Sequence, residues 1–277
     1  MGVYQQIQEK MLQLDIQPKR SLGQNFLVSD AIIEKILREV EKQKPEFIVE
    51  VGPGLGSLTE GLLQVPAKLQ LLELDHKFVA YWLERGLDVI ETDALEFDWT
   101  QLRARENRLL VSNLPYQISS RLVIDRSLDA YPFKNMILMF QREVADRITS
   151  KPHSKEYGFL SVMAQSFWNL KTITDVGPQC FLPPPNVSSR VLHFQHKPSE
   201  VNHPKFFFKF IKSGFLQRRK LYLKNIRGFL KDHHLEESRL KQILLELQLK
   251  DTVRAEEISV AQYLTLYKKL WPIEPST

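Results

Sequence analysis

The 277-residue sequence contains one cysteine, Cys180. An intramolecular disulfide and a Cys-x-x-Cys metal knuckle are both excluded, and the thiol is expected to be a packed small side chain. Seven histidines are present, the pair His233-His234 among them, but they show no ligand spacing, so no metal site is expected. No apolar run approaches the roughly 18 residues of a membrane helix. Polar groups run through the first thirty residues, where a signal peptide would need an apolar stretch. The chain is therefore expected in the cytoplasm. Internal repeats and low-complexity segments are missing too.

What is present is ordinary for a globular chain: 43% hydrophobic and 26% charged residues, enough for one sizeable domain and a smaller one. The net charge of +5 is unevenly placed. Residues 1–200 hold 23 Lys and Arg against 25 Asp and Glu, whereas residues 201–277 hold 15 against 8. Such asymmetry suits a tail that faces a polyanion, with a solvated basic face as the plainer alternative.

Short apolar runs alternate with helical periodicity. The run at 47–52 reads as a strand ending in glycine, and 57–65 as a helix. Strands follow at 68–73, 87–90, 108–112 and 135–140, with a helix at 77–84 between the second and third. This rhythm predicts an α/β fold, a doubly wound sheet with helices on both faces. After Pro152 the pattern predicts a helix over 156–168 and strands at 171–176 and 190–195, separated by a stiff loop, Phe181 to Pro185, whose three prolines cannot donate to a ladder. Beyond His203 the chain reads as all helix. A boundary near 197–203 gives two domains, 1–200 and 201–277.

Gly52, Gly54 and Gly56 lie at the first strand-to-helix turn, where absent side chains let backbone approach a ligand. The dinucleotide fingerprint would put its third glycine at position 57, which is Ser57, and this argues against a nicotinamide enzyme. Glu73 ends the second strand, 21 residues after Gly52, where a carboxylate accepts from ribose hydroxyls. Asp93 follows the third strand. It reads equally well as an acceptor for an adenine amine or as a helix cap.

Asn113-Leu114-Pro115-Tyr116 follows the fourth strand, at the edge where open α/β sheets bind ligands. Methylating the exocyclic amine of adenine requires geometry more than acid–base chemistry, because the amine lone pair is delocalised and a sulfonium donor is already activated. Asn113 and a loop carbonyl supply acceptors for the amine hydrogens, and they stabilise positive charge developing on the nitrogen. Pro115 lacks an N–H and presents only an acceptor. Tyr116 offers a face for an extruded base, worth about 1–3 kcal/mol in single-strand binders. Taken alone, the string reads equally well as a proline turn with Asn113 as a cap and Tyr116 in the core.

From His203 to Lys231 there are nine Lys or Arg and no acid, interleaved with six phenylalanines that are expected to pack. Arg218, Arg219, Lys220, Lys224 and Arg227 span about three turns if helical, which places several on neighbouring faces as phosphate contacts.

With these residues identified, the chain resembles the small-subunit (16S) ribosomal RNA adenine N6,N6-dimethyltransferases, also called dimethyladenosine transferases or kasugamycin-resistance methyltransferases. The resemblance covers nearly the whole length. It is carried by KRSLGQNFL at 19–27, the glycine turn, Glu73-Leu74-Asp75, Asp93-Ala94 and Asn113 to Tyr116. It continues through YGFLSVMAQ at 157–165, Phe181 with its prolines, QRRK at 217–220 and RAEEISVAQY at 254–263. It implies a Rossmann-like class I methyltransferase sheet with a smaller all-helical C-terminal domain, and S-adenosyl-L-methionine as cofactor. It also implies cofactor contacts from Asn25, Leu27, Gly52, Glu73, Asp93 and Asn113. Catalytic roles fall to Asn113, Leu114, Pro115, Tyr116 and Phe181, with Tyr116 and Phe181 sandwiching the target adenine. The implied substrate is 16S rRNA in the immature small subunit, dimethylated on two adjacent adenines of its 3′-terminal hairpin, by an enzyme expected to be monomeric.

Two other classes compete. A ribosome-assembly or transcription-associated binding factor would keep the fold and depend little on catalysis. A DNA adenine methyltransferase would ordinarily carry a domain for reading duplex sequence, and none is seen.

Overall fold

The computed structural model describes residues 2–18, 23–198 and 200–271. Helix α1 (Val3–Gln13) is followed by β1 (Phe26–Leu27) and α2 (Asp30–Lys42). Strand and helix then alternate through β2 (Phe47–Val51), α3 (Thr59–Leu62), β3 (Lys68–Glu73), α4 (His76–Glu84), β4 (Val89–Glu91), β5 (Arg108–Asn113), α5 (Tyr116–Ser127), β6 (Asn135–Gln141) and α6 (Arg142–Thr149). After α7 (Phe159–Phe167) come β7 (Trp168–Val176), β8 (Phe181–Leu182) and β9 (Ser189–His196). Helices α8 (Pro204–Gly214), α9 (Tyr222–Asp232), α10 (Glu237–Glu246) and α11 (Val260–Leu270) follow. None of the described helices is long and apolar enough to cross a membrane.

Seven strands form one sheet in the order β4-β3-β2-β5-β6-β9-β7. The strands from β2 to β6 run parallel, and β9 pairs antiparallel with β6. Parallel strands covered on both faces read as unbroken apolar runs. Thus all five residues of β2 and the first six of β6 are buried. Strand order reverses beside β2, with β3 and β4 on one side and β5 and β6 on the other, and such a reversal opens a crevice at the carboxyl ends of the strands.

The core on one face is built by α2, whose Ile32, Ile33, Ile36 and Val40 pack against Ile48, Leu109, Val111, Ile137, Met139 and Val191. Those four helix residues repeat at the spacing of one helical stripe. A neighbouring cluster of Ile7, Ile16, Phe26, Leu55, Leu71, Phe78 and Trp82 brings α1 and α4 against the glycine turn.

The chain divides into two compact units. The first comprises the residues up to Arg126, Ala130–Ala145 and Asn169–His196. The second comprises Ser127–Asp129, Asp146–Trp168 and the chain from Lys197 onward. In the second unit the phenylalanines of the basic segment do pack: Phe207 and Phe210 are fully buried, and Phe207 meets Tyr267 at a centroid distance of 5.1 Å.

Two helices are shorter than the sequence pattern predicts. The helix over 57–65 shrinks to Thr59–Leu62, because the residues before it are spent on tight turns around Gly54 and Gly56. The helix over 156–168 stops at Phe167, since Trp168 is already extended and opens β7, its buried indole nitrogen donating to Ser127 Oγ at 2.8 Å. Beyond His203 the described chain is helical as expected, apart from an isolated bridge between Leu221 and Arg254.

Candidate active site

The crevice is lined from the carboxyl ends of β2, β3 and β5 and from the segment leading into β1. Its wall includes Gly23 to Phe26, Glu50 to Gly54, Leu72 to Leu74, Thr92 to Ala94 and Asn113 to Ile118. Eight of the residues singled out by sequence meet here: Asn25, Gly52, Glu73, Asp93, Asn113, Leu114, Pro115 and Tyr116. In the 19–27 string, residues 19 to 22 lie outside the described residues.

The glycine turn has φ of 67° at Gly52, 52° at Gly54 and 90° at Gly56, a region L side chains rarely enter. Space is equally restrictive. A Cβ on Gly56 would lie 2.7 Å from the Trp82 ring, and one on Gly54 would lie 3.0 Å from the Phe26 ring.

At the end of β3 the Glu73 carboxylate is held by three backbone amides. Gly54 N–H donates to Oε2 at 3.1 Å, and the amides of Leu74 and Asp75 donate to Oε1 at 2.8 and 2.9 Å. Burial nevertheless pushes its pKa up, with the three hydrogen bonds opposing. A carboxylate offers about four acceptor positions, so one remains for a ligand hydroxyl. Asp93 serves as a cap and also lies in the crevice wall. Its Oδ1 accepts from Leu95 N–H at 2.8 Å.

Asn113 closes β5. Its Nδ2 donates to the backbone carbonyl of Asn25 at 3.1 Å, which fixes the amide plane and leaves Oδ1 as an acceptor. The strand end is braced by Ser112 Oγ, which donates to Val51 O at 2.5 Å. Tyr116 opens α5, and its hydroxyl shares a 2.9 Å hydrogen bond with Ser189 Oγ at the start of β9. Burial raises the phenol pKa, so the ring stays neutral.

Two expected site residues are buried outside the crevice wall. Leu27 and Phe181 face each other in the β1–β8 ladder, are 0% and 3% exposed, and belong to the core against α2. Residues directly opposite in a ladder project to the same face. Burying Leu27 therefore buries Phe181, and neither is in the crevice wall.

The basic residues also differ from a single helical stripe. Arg218, Arg219 and Lys220 sit in the turn between α8 and α9, and only Lys224 and Arg227 are on α9. Arg218 is engaged within its own unit, with Nε 2.5 Å from Glu256 Oε2 and Nη2 donating to the Lys155 carbonyl. Arg227 pairs with Glu237 at 3.0 Å. Arg219, Lys220 and Lys224 are exposed.

Glu50 was missed, although a lone acid inside Phe47-Ile48-Val49-Glu50-Val51 was visible in the sequence. It is 2% exposed and lines the crevice, and it accepts from Thr59 Oγ1 at 2.7 Å. Burial, aided by the nearby Glu73 and Glu60, pushes its pKa up to about 8. Asp75, two residues beyond Glu73, is also buried. Its side chain caps α4 through Lys77 N–H and accepts from Gln24 at 3.1 Å.

The sequence model of the family described as ribosomal RNA adenine dimethylase matches residues 16–270. A Ribosomal RNA small subunit methyltransferase A from Bdellovibrio bacteriovorus is 50% identical over 264 residues, covering 95% of this chain and 96% of the relative. The protein of the same name from Hydrogenovibrio crunogenus is 36% identical, covering 90% and 95%. Among solved structures, a dimethyladenosine transferase from Plasmodium falciparum has a TM-score of 0.73 at 22% identity, covering 88% of this chain and 98% of that one, a likeness of fold. On the matched length and the identity to these relatives, the chain belongs to the ribosomal RNA adenine dimethylase family.

Proposed function

We propose that the protein dimethylates the N6 amines of two adjacent adenines in the 3′-terminal hairpin of 16S rRNA, during assembly of the small subunit, acting as a cytoplasmic monomer. The observation that carries this reading is the 3.1 Å bond from Asn113 Nδ2 to Asn25 O, made inside a crevice that also holds Gly52, Glu73 and Asp93. The residues present suit S-adenosylmethionine: a glycine cradle that a Cβ would obstruct, a preorganised carboxylate at the end of β3 and a second acceptor after β4. Glu73 would hold the ribose, Asp93 the adenine, and Gly52 and Asn25 the remainder. The cofactor supplies a methyl group on an activated sulfonium.

The protein's own part is to bind and orient. Asn113 Oδ1 and a carbonyl of the Leu114-Pro115 turn accept from the N6 hydrogens, drawing the nitrogen toward a tetrahedral shape and stabilising its developing positive charge. Tyr116, anchored through Ser189, gives the extruded base a fixed plate for stacking. Residues 201–277 act as the RNA-binding domain, with Arg219, Lys220 and Lys224 as exposed phosphate contacts and Arg218 and Arg227 contributing alongside their acidic partners.

Incubation with labelled S-adenosylmethionine and immature small subunits should yield N6,N6-dimethyladenosine at two neighbouring positions by primer extension. Recovery of no dimethyladenosine would overturn the proposal. An assembly factor that depends little on chemistry predicts instead that an Asn113→Ala strain matures its subunits normally while a deletion strain does not.

A further inference from the structure

We infer that Lys10, on the N-terminal helix, is a positioning residue for the cofactor turn. The inference deepens the reading of the crevice as the S-adenosylmethionine site and rests on it. Lys10 reaches 45 residues along the chain to place Nζ 3.0 Å from the carbonyl of Leu55, between Gly54 and Gly56. The same ammonium lies 2.7 Å from Glu60 Oε1, and it sits 5.6 and 5.8 Å from the ring centroids of Tyr81 and Trp82. Its side chain is 17% exposed, so the charge is largely withdrawn from water and strengthens these contacts.

The neighbouring carbonyl is held in the same way. Trp82, 0% exposed, donates Nε1–H to Gly54 O at 3.0 Å, while Gly54 N–H is bound by Glu73. Neither Lys10 nor Trp82 lines the crevice, so the two carbonyls of the turn are tied on its outer side. A peptide unit is planar, and tying its oxygen fixes the whole plane. Lys10 and Trp82 thereby set the peptides joining Gly54 to Leu55 and Leu55 to Gly56, and the crevice wall resumes immediately after them at Ser57. Arg85 provides the contrast. It binds Glu60 through Nη1 at 2.5 Å and Nη2 at 3.1 Å and stacks beside Trp82, yet its bonds go to side chains, not to the backbone of the turn.

The test compares Lys10→Met with Arg85→Met in the full-length protein, because both remove a cation from Glu60 and only the first releases the turn. S-adenosylhomocysteine binding is measured by calorimetry, alongside thermal melting and steady-state kinetics. Lys10→Met should raise the Kd for S-adenosylhomocysteine and the KM for S-adenosylmethionine on the order of 10-fold, the scale of one charge-assisted hydrogen bond, with kcat nearly unchanged. Arg85→Met should lower the melting temperature comparably and leave that Kd within about 2-fold, and Lys10→Arg, which keeps a charged donor, should restore it. Equal Kd changes in the two Met variants, or none in Lys10→Met, would overturn the assignment. Neither outcome touches the wild-type methylation assay, so this inference and the proposed function fail separately.

Discussion

The crevice and the basic segment of the second unit both rely on polar groups, but they hold them differently. Glu73, Asn113 and Tyr116 each have a side chain fixed by a buried or half-buried partner, usually backbone, before any ligand arrives. Between Lys205 and Lys231 the cations project from a packed aromatic core, with Arg219, Lys220 and Lys224 exposed, and Arg218 and Arg227 reach surface carboxylates, Glu256 and Glu237, through long side chains that are themselves more than half exposed. Preorganisation of the first kind suits chemistry, in which an ångström matters. Exposed charge of the second kind suits a polyanion whose phosphates are numerous and interchangeable.

The comparison is most severely tested at Asn113. Asn113→Ala should reduce turnover about 10²–10³-fold, as loss of one preorganised charge-stabilising group does, while S-adenosylhomocysteine affinity falls only modestly. Single-turnover kinetics with parallel calorimetry would show whether geometry or binding was lost. Gly56→Ala combines a φ of 90° with a Cβ 2.7 Å from Trp82, and it should destabilise the fold by about 2–3 kcal/mol in denaturant titration.

Glu50 sharpens the contrast through pH. Its native carboxyl stays protonated to about 8, whereas the unfolded chain's carboxyl ionises near the ordinary value of 4.5. Within that window the native state holds the extra proton, so the Glu50 contribution declines as pH rises from 4.5 and levels off above 8. Melting curves of Glu50→Gln should lack that decline. Exposed cations should behave in the opposite manner, with little effect on stability and a clear effect of salt. Replacing Arg219 and Lys220 by Ala should reduce the slope of log K against log salt for RNA by about 1–2, and replacing Arg218, already paired to Glu256, should reduce it less.

Much of the first unit was legible because its parallel strands are covered on both faces and so appear as apolar runs, with Glu73, Asp93 and Asn113 at or just beyond strand ends. The burial of Leu27 and Phe181 was not legible. Whether they face ligand or core is decided by the register of two strands of two residues each, too short for any periodic pattern. The break between α8 and α9 had a signal, since α8 ends at Gly214. A run of cations across that break gives no sign of which will find a carboxylate nearby. Lys10 had no local signature at all, because its meaning depends on a carbonyl 45 residues away.

The sheet order has a bearing on how the chain is made. Strand β7 emerges from synthesis before β9, yet its neighbour in the sheet is β9, and β9 must enter between β6 and β7. Until residues 189–196 are available, β6 is an open edge and β7 has no ladder to join. A nascent chain halted before Ser189 should therefore hold its glycine turn beside an unfinished sheet, and closure of the far edge should coincide with delivery of Ser189, the residue that anchors Tyr116.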